Sequence, residues 1–260
     1  MSSGCIAHAF AAWMTRKDNK EQRVTLIRQG LLMLVAVCLV LAVPARAQFL
    51  DRAGASRIQL EAKDFGYFFD GLQWPKEAGG QTIIFVCWEK PVLTTYPREA
   101  QWVRSAVTDS WQKHSRIEFR GWEECVDGST GIRITVLTTG PRVLEFGKDL
   151  DGLKGGMELN FTFRSWSQSC SVSEGAREQC IRSIGVHEFG HAIGFAHEQD
   201  RADTPGECAE KEGTHGTGVS TLTPYDLQSV MNYCNPKYSN DGKLSAYDVK
   251  SVQQKYGAAR

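Results

Sequence analysis

The pattern of apolar and polar positions along the chain predicts a domain that mixes strands and helices. The run at 82–88 ("TIIFVCW") is rich in β-branched and aromatic residues, which predicts a buried strand. Two further strands are predicted at 117–120 and 132–138. At 157–163 ("MELNFTF") apolar residues alternate with polar ones, which predicts a strand with one buried and one exposed face.

Helical periodicity appears in three places. Apolar residues recur at amphipathic spacing over 97–115, and a second helix is predicted over 181–193. The last helix begins at a capping pattern formed by Ser245 and Asp248. Residues 202–223 have no period and are interpreted as a loop. The order of the elements predicts one α+β domain that its central helix divides into two lobes.

Residues 1–47 are interpreted as a signal peptide. A basic stretch precedes the apolar run 30–43, and Ala45–Ala47 ("ARA") is a small-residue cleavage pattern. The run is shorter than the roughly 20 residues that span a membrane, so we expect no stable membrane association after cleavage. An uncleaved anchor is the alternative. Residues 48–80 then form an N-terminal extension or a pro-segment, and 81–260 form the main domain.

Charge excludes one class of partner. Without the six basic and two acidic residues of the leader, the 30 basic and 30 acidic residues of the chain become 24 and 28. A mildly acidic chain without clustered positive charge does not fit nucleic-acid binding, so we expect no nucleic-acid partner. The sequence leaves the oligomeric state unknown.

Six cysteines follow the leader, and we expect them to form three disulfides, because oxidising compartments let such bonds persist. Free buried thiols are the alternative for some of them. Fifteen pairings exist in principle, and the sequential one is our prediction. It joins Cys87 to Cys125, Cys170 to Cys180 and Cys208 to Cys234. This cysteine usage supports export to an extracellular or periplasmic compartment.

The segment "VHEFGHAIGFAHEQDR" concentrates side chains that bind metals. His187 and His191 lie one helical turn apart, so both project from the same face and reach one ion. Gly194 is placed to end the helix in a left-handed conformation, which lets His197 return as a third ligand. Three neutral imidazoles with an open fourth position predict one catalytic Zn²⁺. Glu188 is placed beside them to accept a proton from zinc-activated water as general base.

These residues match the zinc-protease signature H-E-x-x-H-x-x-G-x-x-H, and the segment 225–233 ("YDLQSVMNY") resembles the Met-turn of the astacin family of metzincins. The resemblance implies a metzincin-type fold: a mixed twisted sheet, an active-site helix and a smaller C-terminal lobe. It also implies an exported zinc endopeptidase that acts on protein or peptide substrates. Met231 would form the apolar floor beneath the zinc site. Tyr233 would be a fifth ligand that swings away and donates a hydrogen bond to the oxyanion. The strand at 157–163 would be an exposed edge that binds an extended substrate.

The chain departs from the astacin pattern in several places. Asn232 stands where the family usually has histidine, and Cys234 is not part of the usual pattern. The closing segment 244–257 resembles matrixin catalytic domains more, so a matrixin-like protein is the runner-up. A non-catalytic protein-binding module on a metzincin scaffold and a structural zinc domain are the alternative functions. Lys237 is a candidate for the substrate pocket, and Asp70 is a candidate for latency.

Overall fold

The computed structural model describes residues 68–208 and 223–260. The predicted signal peptide and residues 48–67 of the predicted extension lie outside the described residues. A five-stranded sheet is built from β1 (Thr82–Trp88), β2 (Ile117–Glu124), β3 (Ile132–Val136), β4 (Arg142–Val143) and β5 (Met157–Leu159). The strand order is β2-β1-β3-β5-β4, and β4 is antiparallel whereas the other pairings are parallel.

The α-helices that lie entirely within 68–208 and 223–260 are α1 (Val92–Thr95), α2 (Pro97–Val107), α3 (Glu174–Ala192) and α4 (Ala246–Tyr256). A π-helix, Thr108–Gln112, continues α2. Short 3-10 helices lie at Asp70–Leu72, Gly147–Leu150, Gln168–Ser171, Glu198–Asp200 and Tyr238–Gly242. None of the described helices has the length and apolar character that crossing a bilayer requires.

Helix α3 begins before its predicted start at 181. The side chain of Ser173 accepts a hydrogen bond from the backbone N–H of Ala176, which satisfies a donor that the first helical turn leaves free. The predicted capping box of α4 is confirmed, because Ser245 and Asp248 each accept from the other's backbone N–H.

The prediction for 157–163 is wrong in two respects. The regular strand β5 ends at Leu159, and two of the polar residues of the alternating pattern are buried: Glu158 is 9% exposed and Asn160 is 1% exposed. Glu158 forms an ion pair with Arg142 at 2.7 Å, and the Asn160 amide donates to the carbonyl of Thr139. These partners come from the segment around β4, so neither face of β5 is left to solvent.

Strand β5 does not lie at the edge of the sheet. Val143 pairs with Met157 and Arg142 pairs with Glu158, so β4 covers β5. β4 is therefore a terminal strand of the sheet, opposite β2, and the predicted edge role of 157–163 is wrong.

Aromatic side chains of the core fix the position of α3. The ring of Phe189 packs edge-on against Phe119 of β2 at 5.1 Å and stacks on Trp122 at 5.6 Å. The indole N–H of Trp111, in the π-helix, donates to the carbonyl of Val186 at 2.7 Å. Because α3 is held from β2 and from the π-helix, it supplies a rigid base for the site that it carries.

Residues before the predicted boundary at 81 also pack into this domain. Phe68 is fully buried, and its ring lies 5.0 Å from that of Phe195. The backbone N–H of Phe69 donates to the carbonyl of Gly194 at 2.9 Å, and the indole of Trp74 donates to the carbonyl of Ala192 at 2.7 Å. These contacts lie against the C-terminal end of α3.

The disulfide prediction is confirmed. Bonds join Cys87 to Cys125, Cys170 to Cys180 and Cys208 to Cys234.

Candidate active site

Three imidazole nitrogens converge at the end of α3. The Nε2 atom of His197 lies 3.2 Å from Nε2 of His187 and 3.0 Å from Nε2 of His191. Nitrogen ligands that bind a tetrahedral zinc ion at about 2.0–2.1 Å lie about 3.3 Å from one another, so these separations fit one shared ion. Within 68–208 and 223–260, His187, His191 and His197 form the cluster of potential metal-ligand side chains that lie close enough together to bind one ion.

Contacts on the opposite ring nitrogens orient the two helical ligands. Nδ1 of His187 lies 2.8 Å from the carbonyl oxygen of Val230, and Nδ1 of His191 lies 2.7 Å from that of Phe195. A carbonyl only accepts, so each Nδ1 carries the proton and each Nε2 presents a lone pair. Burial lowers the pKa of His187 to about 3 and that of His191 well below its usual value. Both rings are therefore neutral near pH 7, as metal ligands must be.

Gly194 returns the chain to the site. Its φ is 99°, a left-handed conformation that strains residues with a side chain. The N–H of Phe195 donates to the carbonyl of Gly190, and the N–H of Gly194 donates to that of His191, both at 2.9 Å. This pair of bonds closes a helix on a glycine and satisfies its last carbonyls. The turn directs the following residues back toward α3, where His197 completes the triad.

Met231 packs against α3 at Gly190. It is fully buried, and a Cβ added at Gly190 would lie 2.3 Å from its sulfur. Gly190 is therefore the position at which the methionine meets the backbone of α3, one residue before His191. Gly190 is not among the site residues predicted from the sequence. The sequence does carry a signal for this position, because glycine inside a helix destabilises it by about 1 kcal/mol relative to alanine. A glycine there indicates that the packing leaves no room for a side chain.

The ring of Tyr233 lies against the triad. It stacks on the ring of His187 with centroids 5.1 Å apart and planes at 15°, and its centroid is 4.3 Å from that of His197. On its other side the ring of Tyr238 lies parallel at 6.2 Å. The structure thus brings Tyr233 to the three histidines. Tyr238 is not among the site residues predicted from the sequence.

Glu188 is buried next to the first ligand, with 3% of its surface exposed. Burial raises the pKa of its carboxyl to about 8. Burial and, behind it, the charge of Glu188 raise the pKa of the Tyr238 phenol. A divalent cation on the histidines favours the ionised form of the Glu188 carboxyl.

Two other candidates have partners away from the triad. Lys237 is exposed and lies 3.7 Å from the carboxylate of Asp241. Asp70 forms an ion pair with Lys255 of α4. Among the described contacts, neither residue touches a histidine of the site.

Asp248 links α4 to the Met-turn, a role that the capping pattern did not predict. Its carboxylate accepts from the hydroxyl of Ser229 at 2.7 Å and from the backbone N–H of Val230 at 2.9 Å. It also accepts from the backbone N–H of Ser245 at 2.9 Å. Val230 in turn supplies the carbonyl that orients His187, so one buried carboxylate lies two contacts from a ligand.

Comparison with known proteins gives short sequence matches and a similarity of fold to solved structures. No family model matches the chain. Zinc metalloproteinase nas-15 of Caenorhabditis elegans is 34% identical over 99 residues, which is 32% of this chain and 16% of that protein. Protein SpAN of Strongylocentrotus purpuratus is 32% identical over 93 residues, 31% of this chain and 15% of that protein. The match spans about one sixth of the length of each curated relative.

Among solved structures, the fold is similar to that of myroilysin. The TM-score is 0.52 at 18% identity, and the alignment covers 75% of this chain and 100% of myroilysin. At this identity the similarity concerns the fold. Together with the zinc metalloproteinase among the sequence matches and the three-histidine site, it confirms the resemblance to astacin-like zinc proteases and the α+β metzincin-type fold. The matrixin-like end stays a prediction.

Proposed function

We propose that this protein is an exported zinc metalloendopeptidase that hydrolyses peptide bonds in protein or peptide substrates. The observation that carries the proposal is the convergence of three imidazole nitrogens, with the buried Glu188 beside the two ligands on α3. A fourth ligand that would close a structural zinc site does not join the triad among the described residues. The retained Glu188 argues against a non-catalytic binding module, which has no use for this carboxylate.

His187, His191 and His197 would hold the zinc ion. Bound there, Zn²⁺ supplies a Lewis acid that polarises a carbonyl and lowers the pKa of water to about 7. The remaining chemistry falls to side chains of the chain itself. Met231 and Gly190 pack the floor and fix the separation of the ligands.

Glu188 moves the proton. As water attacks the carbonyl carbon of the scissile bond, the Glu188 carboxylate accepts its proton and then delivers it to the amine that leaves when the C–N bond breaks. Burial suits the carboxyl to both steps, because a base whose pKa lies near the working pH accepts and returns a proton readily.

Tyr233 stabilises the charge that develops on the carbonyl oxygen. Its ring lies on the rings of His187 and His197, so its phenol belongs to the same small volume as the ligands. A phenol O–H that donates to the oxygen only once it carries charge lowers the barrier without tightening ground-state binding.

An extended substrate would pair with β4. It is a terminal strand of the sheet, and Arg142–Val143 presents backbone groups on its outer side to a peptide strand. This replaces the strand at 157–163 that the sequence analysis assigned to the same role.

Export is supported by the three disulfides, which persist in oxidising compartments. The predicted signal peptide supports the same proposal from the sequence.

The test is digestion of a peptide library by the purified protein, read by mass spectrometry. We expect internal cleavage that a chelator abolishes and added Zn²⁺ restores. His191→Ala should lose it, whereas His114→Ala, a matched loss of one imidazole away from the triad, should keep it. Cleavage that is insensitive to chelator, or unchanged in His191→Ala, would refute the proposal.

A further inference from the structure

Two departures from the astacin pattern flank Tyr233. Asn232 precedes it in place of the usual histidine, and Cys234 follows it. The structure connects the two, because the backbone N–H of Cys234 donates to Oδ1 of Asn232 at 2.9 Å. The substitutions therefore form one local device with Tyr233 at its centre.

Every polar group of the Asn232 side chain forms a hydrogen bond. The residue is fully buried, and its amide nitrogen donates to the hydroxyl of Tyr225 and to the carbonyl of Asp226, each at 2.9 Å. With the bond from Cys234, both amide hydrogens and the carbonyl oxygen are engaged. A buried amide satisfied in this way holds one geometry, because every alternative leaves a polar group without a partner.

Two further contacts hold the backbone from the side of the third ligand. The N–H of Tyr233 donates to Oε1 of Gln199 at 3.0 Å, and Gln199 is 2% exposed in the short helix after His197. The disulfide of Cys234 reaches Cys208, beyond the same helix. The backbone of Tyr233 is thus tied to the segment that carries His197.

We propose that Asn232 and the Cys208–Cys234 disulfide are positioning elements that fix the backbone of Tyr233, so that its phenol reaches the reacting carbonyl through side-chain rotation alone. The proposal rests on the proposed peptidase function. The disulfide then contributes to turnover as well as to stability. A group that acts in the transition state and loses its position by about 1 Å costs on the order of 100-fold in rate.

The test compares two disulfide deletions by steady-state kinetics on one quenched peptide. Cys208→Ser/Cys234→Ser should lower kcat about ten- to hundredfold, with KM within about twofold and the zinc content unchanged. Cys170→Ser/Cys180→Ser is the matched control, since it removes a disulfide without touching Tyr233 or its neighbours. It should retain kcat at temperatures well below its unfolding midpoint.

Coupling to Tyr233 separates positioning from a general loss of stability. Tyr233→Phe should lower kcat by itself, and removing the Cys208–Cys234 bond in that background should lower kcat little further. Asn232→Asp keeps both the shape and the disulfide but loses the two donated bonds. Asn232→Asp should lower kcat when Tyr233 is present, and should not lower it further in the Tyr233→Phe background. This pair of variants provides the test if the cysteine variant fails to fold.

Three outcomes would overturn the proposal. The first is a kcat in Cys208→Ser/Cys234→Ser that equals that of the Cys170→Ser/Cys180→Ser control. The second is a loss that multiplies with Tyr233→Phe, because the disulfide would then act independently of the phenol. The third is absence of chelator-sensitive cleavage by the unmodified protein, which overturns the proposed function itself.

Discussion

Substituting Asp248 by alanine tests whether α4 holds the Met-turn in place. The carboxylate accepts from the hydroxyl of Ser229 and from the backbone N–H groups of Val230 and Ser245. Asp248 and Ser229 are fully buried. Alanine removes the acceptor and leaves these donors in the interior.

The expected loss of stability follows from the number of buried donors that lose their acceptor. Each buried donor without a partner costs about 1–3 kcal/mol, so three of them cost about 3 kcal/mol even at the low end. For a domain of this size, about 1 kcal/mol lowers the unfolding midpoint by about 2–4 °C. We therefore expect Asp248→Ala to unfold about 6–12 °C below the unmodified protein.

Circular dichroism during heating measures this difference at constant zinc concentration. Ser245→Ala is the matched control, because it removes the other half of the capping box and spares the bonds to Ser229 and Val230. Loss of such a cap costs about 1 kcal/mol. If Asp248→Ala unfolds at the same temperature as Ser245→Ala, the carboxylate does not hold the Met-turn and the reasoning is refuted.

Three further predictions concern the floor, the N-terminal segment and the metal. Gly190→Ala places a Cβ 2.3 Å from the sulfur of Met231, so it should weaken zinc binding and slow cleavage, whereas Gly185→Ala, whose Cβ meets nothing closer than 3.2 Å, should keep both. Phe68→Ala should lower the free energy of unfolding by about 3–5 kcal/mol, and Phe85→Ala, at a residue 52% exposed, should lower it much less. A chelator should lower the unfolding temperature of the unmodified protein, because zinc binds the folded state, and a protein that lacks the triad should show no such shift.

Local patterns in the sequence predicted the elements whose cause is local. The spacing of His187 and His191, and the glycine that ends α3, depend on residues within one or two turns, and the structure places them as that spacing requires. The capping box of α4 is local in the same sense. Disulfide pairing is not local, and it followed the simplest sequential order.

The predictions that failed or were missed depend on distant partners. The alternation at 157–163 predicted a solvent-exposed face. Instead, Glu158 is buried in an ion pair with Arg142, and Asn160 is buried in a hydrogen bond to the carbonyl of Thr139. Periodicity within one strand does not indicate which segment will cover it.

The same limit applies to Asp248 and to the aromatic residues before β1. Ser245 indicated the cap, but the bonds from Asp248 to the Met-turn join residues 18 and 19 positions apart, beyond one helical turn. Trp74 packs on the end of α3 from 118 residues away in the chain, and Phe68 packs there from a similar separation.

The central claim is that Glu188 transfers the proton at a zinc ion held by the three histidines. The most direct measurement is the zinc content and the peptide-cleavage rate of Glu188→Gln, beside Glu178→Gln on the same helix. We predict that Glu188→Gln retains one zinc per chain while its kcat falls at least about 100-fold, since general-base catalysis contributes about 10²–10⁴. Glu178→Gln should match the unmodified protein. Cleavage by Glu188→Gln at the rate of the unmodified protein, with zinc bound, would contradict the claim.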